Sequence, residues 1–384
     1  MPSLLTRDRV AHYCIGLLIC AAILQAFSFA RDKRIGGDFA VFYAEGQIAL
    51  KYPHSELYNT EIQDKEYASV VGAERSSPFP YAPWFTLPLE LIARLPYLPA
   101  FLLWTLLSLT ALFLAYRLLA GSIDLPDHWN SVGFLACVAF PPYLFYSLLN
   151  GQPTALGLLI LTSSYVLIQR QNKLLGGIVL SLLTYKPTLL VLIGPMLLFT
   201  KQWRVILGLA IGSVTLALIS LGWAGIEGCR GFLRLLILYS QVLNSPVEVF
   251  QTEKYVDVGS AVRLLFGPQP LVRLAILCVA FPLLWFVWYR TGSRPESWSL
   301  AIVAGLLLSG YSPIYDCTLL IFALLVVGIE NFSRWLVVLL YLLPALTVGI
   351  ARVTRIQLYT VVLAILAIIL ARAAFKARSP ASKS

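Results

Sequence analysis

Charged residues are scarce in this chain: only 12% of its 384 residues are Asp, Glu, Lys or Arg, against roughly 25% in an ordinary soluble domain. With 59% of the residues hydrophobic, that shortage excludes a typical water-soluble globular protein. Cysteine is sparse and unpatterned. Cys14, Cys20, Cys137, Cys229, Cys278 and Cys317 show no CxxC spacing, and five of the six fall inside or at the ends of apolar segments, so neither a disulfide framework nor a metal site is expected. His12 and His54 lack spaced ligand partners. Also missing are a nucleotide-binding glycine loop, a GxSxG elbow and a zinc spacing. Apart from the short polar tail after Lys376, the chain shows no low-complexity tract and no internal repeat.

What is present is a succession of apolar runs. A bilayer crossing takes about 20 apolar residues, and the crossing segments must be helical because unpaired backbone polar groups are costly in lipid. The pattern predicts helices near 10–30, 98–119, 131–149, 154–169, 174–185, 188–200, 205–222, 271–289, 298–310, 317–329, 335–350 and 356–372. The first, preceded by Arg7 and Arg9, is too long for a signal-peptide core and reads as an uncleaved anchor. The net charge of +10 reflects topology, not nucleic-acid binding. An N-terminus in the cytoplasm places Arg117, Arg170/Lys173, Lys201/Arg204, Arg290/Arg294, Arg334 and the tail at 373–384 inside, as the positive-inside rule requires.

Two longer, more polar segments, 31–97 and 223–270, then lie outside. The first contains amphipathic stretches at Asp38–Leu50 and Asn59–Val71 suited to a membrane surface. The runs 174–185 and 188–200 are each too short to cross about 30 Å of hydrocarbon at about 1.5 Å per residue. They read as a broken pair dipping from the cytoplasmic side, the alternative being one unbroken helix over 174–200.

Four polar groups collect on the outer side of this topology. Asp38 closes Gly36-Gly37-Asp38-Phe39, where a carboxylate is placed either to take a proton from an acceptor hydroxyl or to cap the following helix. Asn150-Gly151-Gln152-Pro153 is a tight turn whose amides suit either sugar hydroxyls or turn chemistry alone. Lys186, in Tyr185-Lys186-Pro187, is an ammonium between two apolar runs, matched to a phosphate or snorkelling to the interface. Tyr315 and Asp316, in Tyr311-Ser312-Pro313-Ile314-Tyr315-Asp316, stand at a membrane boundary, where Asp316 either contacts a ligand or caps a helix. Convergence on one face suggests one site.

These residues resemble glycosyltransferase family 87, which includes polyprenol-phosphate-mannose-dependent mannosyltransferases. The resemblance rests on Asp38-Phe39 followed by Phe42-Tyr43; Phe79-Pro80-Tyr81-Ala82-Pro83 ahead of Leu87-Pro88-Leu89; Gly151-Gln152; and Gly176-Gly177 leading to Lys186-Pro187 and Trp203-Arg204. It implies an all-α, polytopic transmembrane bundle of the GT-C type, a single domain over 1–384. It also implies Asp38 as general base, a polyprenyl-phosphate-sugar co-substrate with no further cofactor or metal, and inversion at the anomeric carbon. Lys186 and Arg263 would hold the donor phosphate, and Tyr81, Asn150, Gln152, Tyr315 and Asp316 the sugar and acceptor. The expected partners are membrane lipids, the donor, and a lipid or glycan acceptor, with the active site facing outward from the cell membrane. Related mannosyltransferases tend to carry histidine near the late Ser-Pro motif, where this chain has Tyr315 and Asp316, which bears on the choice of sugar. A pentose donor such as arabinofuranose, or a lipid-linked sugar flippase, are the rival readings. A flippase of the usual transporter type would show broken helices in both halves, and only the 174–200 pair is broken.

Overall fold

The computed structural model describes residues 6–32, 35–72, 78–121, 130–244 and 251–376, and these are helical almost throughout. Six helices among them are long and apolar enough to cross a membrane: α1 (Arg7–Asp32), α5 (Tyr97–Ala120), α10 (Trp203–Asn244), α12 (Pro270–Thr291), α15 (Arg334–Thr354) and α16 (Leu358–Lys376). A seventh is formed if Ser131–Val138, the greater part of α6 (Asn130–Val138), counts as one crossing with Pro142–Leu148, from which it is bent by 56°. Large aliphatic and aromatic side chains such as Ile19, Ile23, Phe27, Leu102, Leu106 and Leu283 are exposed on the long helices, the surface expected of segments that face acyl chains.

Five shorter apolar segments, Thr154–Gln169, Lys173–Tyr185, Pro187–Phe199, Pro295–Leu308 and Ile314–Val327, complete the bundle. Two of them, α7 (Thr154–Gln169) and α13 (Pro295–Leu308), are buried on nearly every side, as suits helices that are apolar all round. The other three begin or end in 3₁₀ turns and contain α8 (Lys173–Ser181), α9 (Ile193–Phe199) and α14 (Leu320–Val327). The break expected near residue 187 is present. Lys186 takes an extended conformation (φ −134°, ψ 86°) between two 3₁₀ turns, because Pro187 disfavours the helical region for the residue before it. On the N-terminal side of this break, α8 packs closely on α10.

The first polar segment forms a surface layer of short helices, α2 (Phe39–Lys51), α3 (Thr60–Val71) and α4 (Thr86–Ala93). Asn59 caps α3 by accepting from the Glu61 and Ile62 amides, at 3.1 and 3.5 Å, and Gly72 ends it with a left-handed φ of 72°. Gly46 lets α2 lie directly on the Leu89 carbonyl of α4, where any Cβ would overlap it. The second polar segment differs from expectation at its start: α10 runs beyond residue 222 to Asn244, broken at Gly225 (φ 67°, ψ −178°). Further on, Asp257 caps α11 (Val258–Phe266), its carboxylate accepting from the Ser260 amide at 2.9 Å and the Ser260 hydroxyl at 2.7 Å. Just before α11, the Val256 amide donates to the Ser312 carbonyl at 2.9 Å and Tyr255 pairs antiparallel with Pro313. That contact ties the second polar segment to the turn carrying Tyr315 and Asp316.

Candidate active site

Asp38 occupies the position before the first residue of α2, yet its side chain makes no capping bond. Its Oδ2 instead accepts a hydrogen bond of 2.9 Å from Nε2 of Gln152. The amide is oriented by its other end: the Tyr81 hydroxyl donates to Gln152 Oε1 at 3.0 Å. A flipped amide would set a carbonyl oxygen against the carboxylate. Residues 114 and 71 positions apart in sequence therefore form one chain, Tyr81 to Gln152 to Asp38.

Local geometry explains why these groups meet. Gly151 has a left-handed φ of 86°, and a Cβ there would press on Phe39, so only glycine lets the 150–153 turn seat against the start of α2. The Phe39 amide donates to the Asn150 carbonyl at 2.8 Å, and the Trp104 indole donates to the Gly151 carbonyl at 2.8 Å. Asn150 thus contributes its main chain to this junction, with its side chain beside Gly37. An aromatic floor lies beneath. Tyr81 and Tyr185 stack with centroids 6.1 Å apart and planes 2° apart, and Phe42 meets Tyr81 at 5.1 Å.

Asp38 retains some accessible surface but is densely surrounded by protein. That desolvation raises its pKa above the ordinary aspartate value, while the Gln152 hydrogen bond and the Lys254 charge pull it partly back. A carboxylate so placed is a stronger base than a solvated one. Among the described residues Oδ1 receives no hydrogen bond, which leaves it for a ligand.

Lys186 and Asp316 face each other. Both Asp316 oxygens lie 2.6 Å from the Lys186 ammonium, and both side chains are buried. Lys186 therefore does not snorkel, and Asp316 does not cap a helix. The Tyr315 ring covers the ammonium at 4.6 Å from its centroid, with Tyr311 at 5.9 Å. Burial of such a pair is tolerable only with close contact, and both oxygens are in contact with the ammonium.

Arg263 lies on α11, in an open cleft that is also lined by Tyr255, Asp257, Gln269, Arg273 and Gly310 but not by Lys186 or Asp316. Tyr255 belongs to both regions. Its phenol is raised in pKa first by burial and further by the negative charges of Asp257, Asp38 and Asp316. Tyr255 and Lys254 are site residues that the sequence motifs do not include. Their place depends on the Val256–Ser312 backbone contact between distant segments, for which a single sequence carries no local signal.

The arrangement provides a base of raised pKa, a positioned amide, stacked aromatic rings and a buried cation on one side of the bundle. A family model described as glycosyltransferase family 87 matches residues 79–313. The match takes in Phe79–Pro83, Gly151-Gln152, Lys186-Pro187 and Arg263, and stops short of Asp38 on one side and of Asp316 on the other. No curated protein and no solved structure matches the chain.

Proposed function

Because the chain belongs to glycosyltransferase family 87, we propose that it transfers a hexose, mannose in the first instance, from a polyprenyl-phosphate donor to an extracytoplasmic lipid or glycan acceptor. The observation that carries this reading is the Gln152–Asp38 hydrogen bond. It draws a carboxylate away from the helix-capping role its position offers and leaves its other oxygen without a hydrogen bond among the described residues.

Asp38 Oδ1 takes the proton of the acceptor hydroxyl as that oxygen bonds to the anomeric carbon. The carbon–oxygen bond to phosphate breaks from the opposite face, and its electron pair leaves with the polyprenyl phosphate, so configuration inverts. A single carboxylate serves this reaction, because the phosphate is already a good leaving group and needs no acid. Lys186 holds the donor phosphate, and Arg263 adds positive charge from the cleft that Tyr255 also lines. Asp316 engages the Lys186 ammonium through two contacts, and an ammonium has three N–H donors. Tyr81, Asn150, Tyr315 and Asp316 border the sugar and acceptor, with Gln152 reaching them through the amide that also grips Asp38.

In a GT-C arrangement of about twelve membrane helices, with the five short apolar segments joining the longer spans, this site stands at the outer face of the cell membrane. The test is transfer in isolated membranes from radiolabelled polyprenyl-phosphate-mannose to a panel of lipid acceptors, with the corresponding arabinose donor in parallel. Product from the mannose donor with inverted configuration is expected. Product from the pentose donor alone changes the sugar and keeps the chemistry; none from either overturns the reading.

A further inference from the structure

Helix α10 is longer than a membrane crossing can use. It has 42 residues, about 63 Å at 1.5 Å per residue, whereas the hydrocarbon core is about 30 Å thick. Trp203 to Gly225 accounts for a full crossing of about 33 Å, and the backbone breaks at Gly225 with φ 67° and ψ −178°. Beyond that break lies an extra helical segment that must leave the bilayer or lie along it.

Its faces differ in character. Gly228 and Gly231 approach the His54 carbonyl and Tyr58, Phe232 meets the Tyr58 ring at 5.4 Å, and Leu235 is buried. This face is docked on the surface layer. At about 100° per residue the opposite side carries Ile226, Leu233 and Ile237 within about 40° of one another. Those three are 60%, 57% and 58% exposed. Arg230 and Arg234, both exposed, run along one flank of this stripe, with Arg230 paired to Glu227 at 2.6 Å. In water such a stripe of aliphatic side chains on a docked helix is unfavourable; at a bilayer surface an apolar stripe with a basic flank is the expected pattern.

We propose that Ile226–Leu238 is a membrane-surface helix, seated with Ile226, Leu233 and Ile237 among the acyl chains and with Arg230 and Arg234 at the level of the lipid phosphates. Two features identify the occupant as lipid. The same helix carries an exposed lipid-type surface before the Gly225 break, at Val214 and Leu218, and the basic flank of the stripe complements phosphate headgroups. Because the segment's other face grips residues 54–58, it fixes the height of the surface layer above the bilayer.

The test uses nitroxide labels on single cysteines in the full-length protein in lipid nanodiscs, with Cys20, Cys229 and Cys278 replaced and the buried Cys14, Cys137 and Cys317 left in place. Labels go at Leu233, Ile237, Arg230 and Arg234, with Val214 as the lipid reference and Glu61 as the water reference. Collision with oxygen, which concentrates in acyl chains, is compared with collision with a water-confined nickel chelate. The proposal expects Leu233 and Ile237 to follow Val214, and Arg230 and Arg234 to fall between the two references. Leu233 and Ile237 following Glu61 would place the stripe in water and overturn it. Shielding of both from both reagents would assign the stripe to a second protein copy and overturn it equally. All sites are exposed, the Arg230 label removes only the surface pair with Glu227, and incorporation of the whole label series into nanodiscs of one size verifies the fold.

Discussion

The Gln152 amide donates to one oxygen of the Asp38 carboxylate across 2.9 Å, joining the turn before a buried helix to the start of the surface layer. The bond does two things to Asp38: it fixes where the carboxylate points, and it moderates the rise in pKa that burial causes. Both consequences can be measured.

Asp38→Asn keeps the shape and removes the proton acceptor. Transfer should fall by about 10²–10⁴-fold, the usual cost of losing a general base. Stability should not fall with it. A carboxyl with a raised pKa in the folded state favours folding in its protonated form, and that contribution is lost as pH rises through the folded pKa. Neutral Asn escapes the loss, so the melting temperature at neutral pH should be unchanged or higher. Near-normal turnover in this variant would remove Asp38 from the chemistry.

The acid limb of kcat/KM should lie above the roughly 3.9 of a free aspartate, since the base is active only when ionised and its pKa is raised. Gln152→Ala removes a hydrogen bond that favours the ionised form, so the limb should move to still higher pH. Tyr81→Phe leaves that amide in place but unanchored and should move it less. A pH profile unaltered by Gln152→Ala would mean that the amide does not act on Asp38.

Lys186→Ala strands a buried carboxylate at Asp316, a loss of about 3–5 kcal/mol for breaking such a pair. The double variant Lys186→Met, Asp316→Leu, which leaves no buried charge, should recover much of that stability. It should nonetheless remain inactive, because the donor phosphate has lost its cation. Melting temperatures and transfer rates measured together separate the two roles, and a stable double variant with full activity would exclude the pair from the site.

Cysteines placed at Glu61 and Lys254, with the exposed native cysteines removed, should react with an impermeant thiol reagent added outside intact cells. Reaction only in inverted vesicles would reverse the topology and with it the side on which transfer occurs.

Much of the architecture is legible in the sequence, because a bilayer imposes helix and length on apolar runs. Thr154–Gln169 begins and ends where its hydrophobic pattern does, and Pro187 signals the break at Lys186. The extension of α10 past residue 222 is less visible: Gly222 and Gly225 imitate a turn, and Glu227, Arg230 and Arg234 imitate a loop, although they form the polar flank of a docked helix. At the site, residue types point to Asp38, Gln152, Lys186 and Asp316, but not to how they pair. Gln152 looks like a sugar ligand in sequence and is bonded to Asp38 in the fold, while Lys186 and Asp316, 130 residues apart, neutralise each other. Pairings of this kind arise from long-range packing, which no local pattern encodes.

The contact between α8 and α10 sets what in this protein can bend. A Cβ on Gly177 would overlap the Val205 carbonyl and one on Gly208 the Leu174 carbonyl, so the two backbones touch with no side chain between them, as small residues permit in membranes. Such a joint has no side chains to repack and therefore does not slide. The pair behaves as a strut running from the Lys173 end of the bundle to the surface layer at His54, where the His54 and Trp223 rings stack at 3.8 Å. Bending in the bundle must therefore come from elements outside this pair.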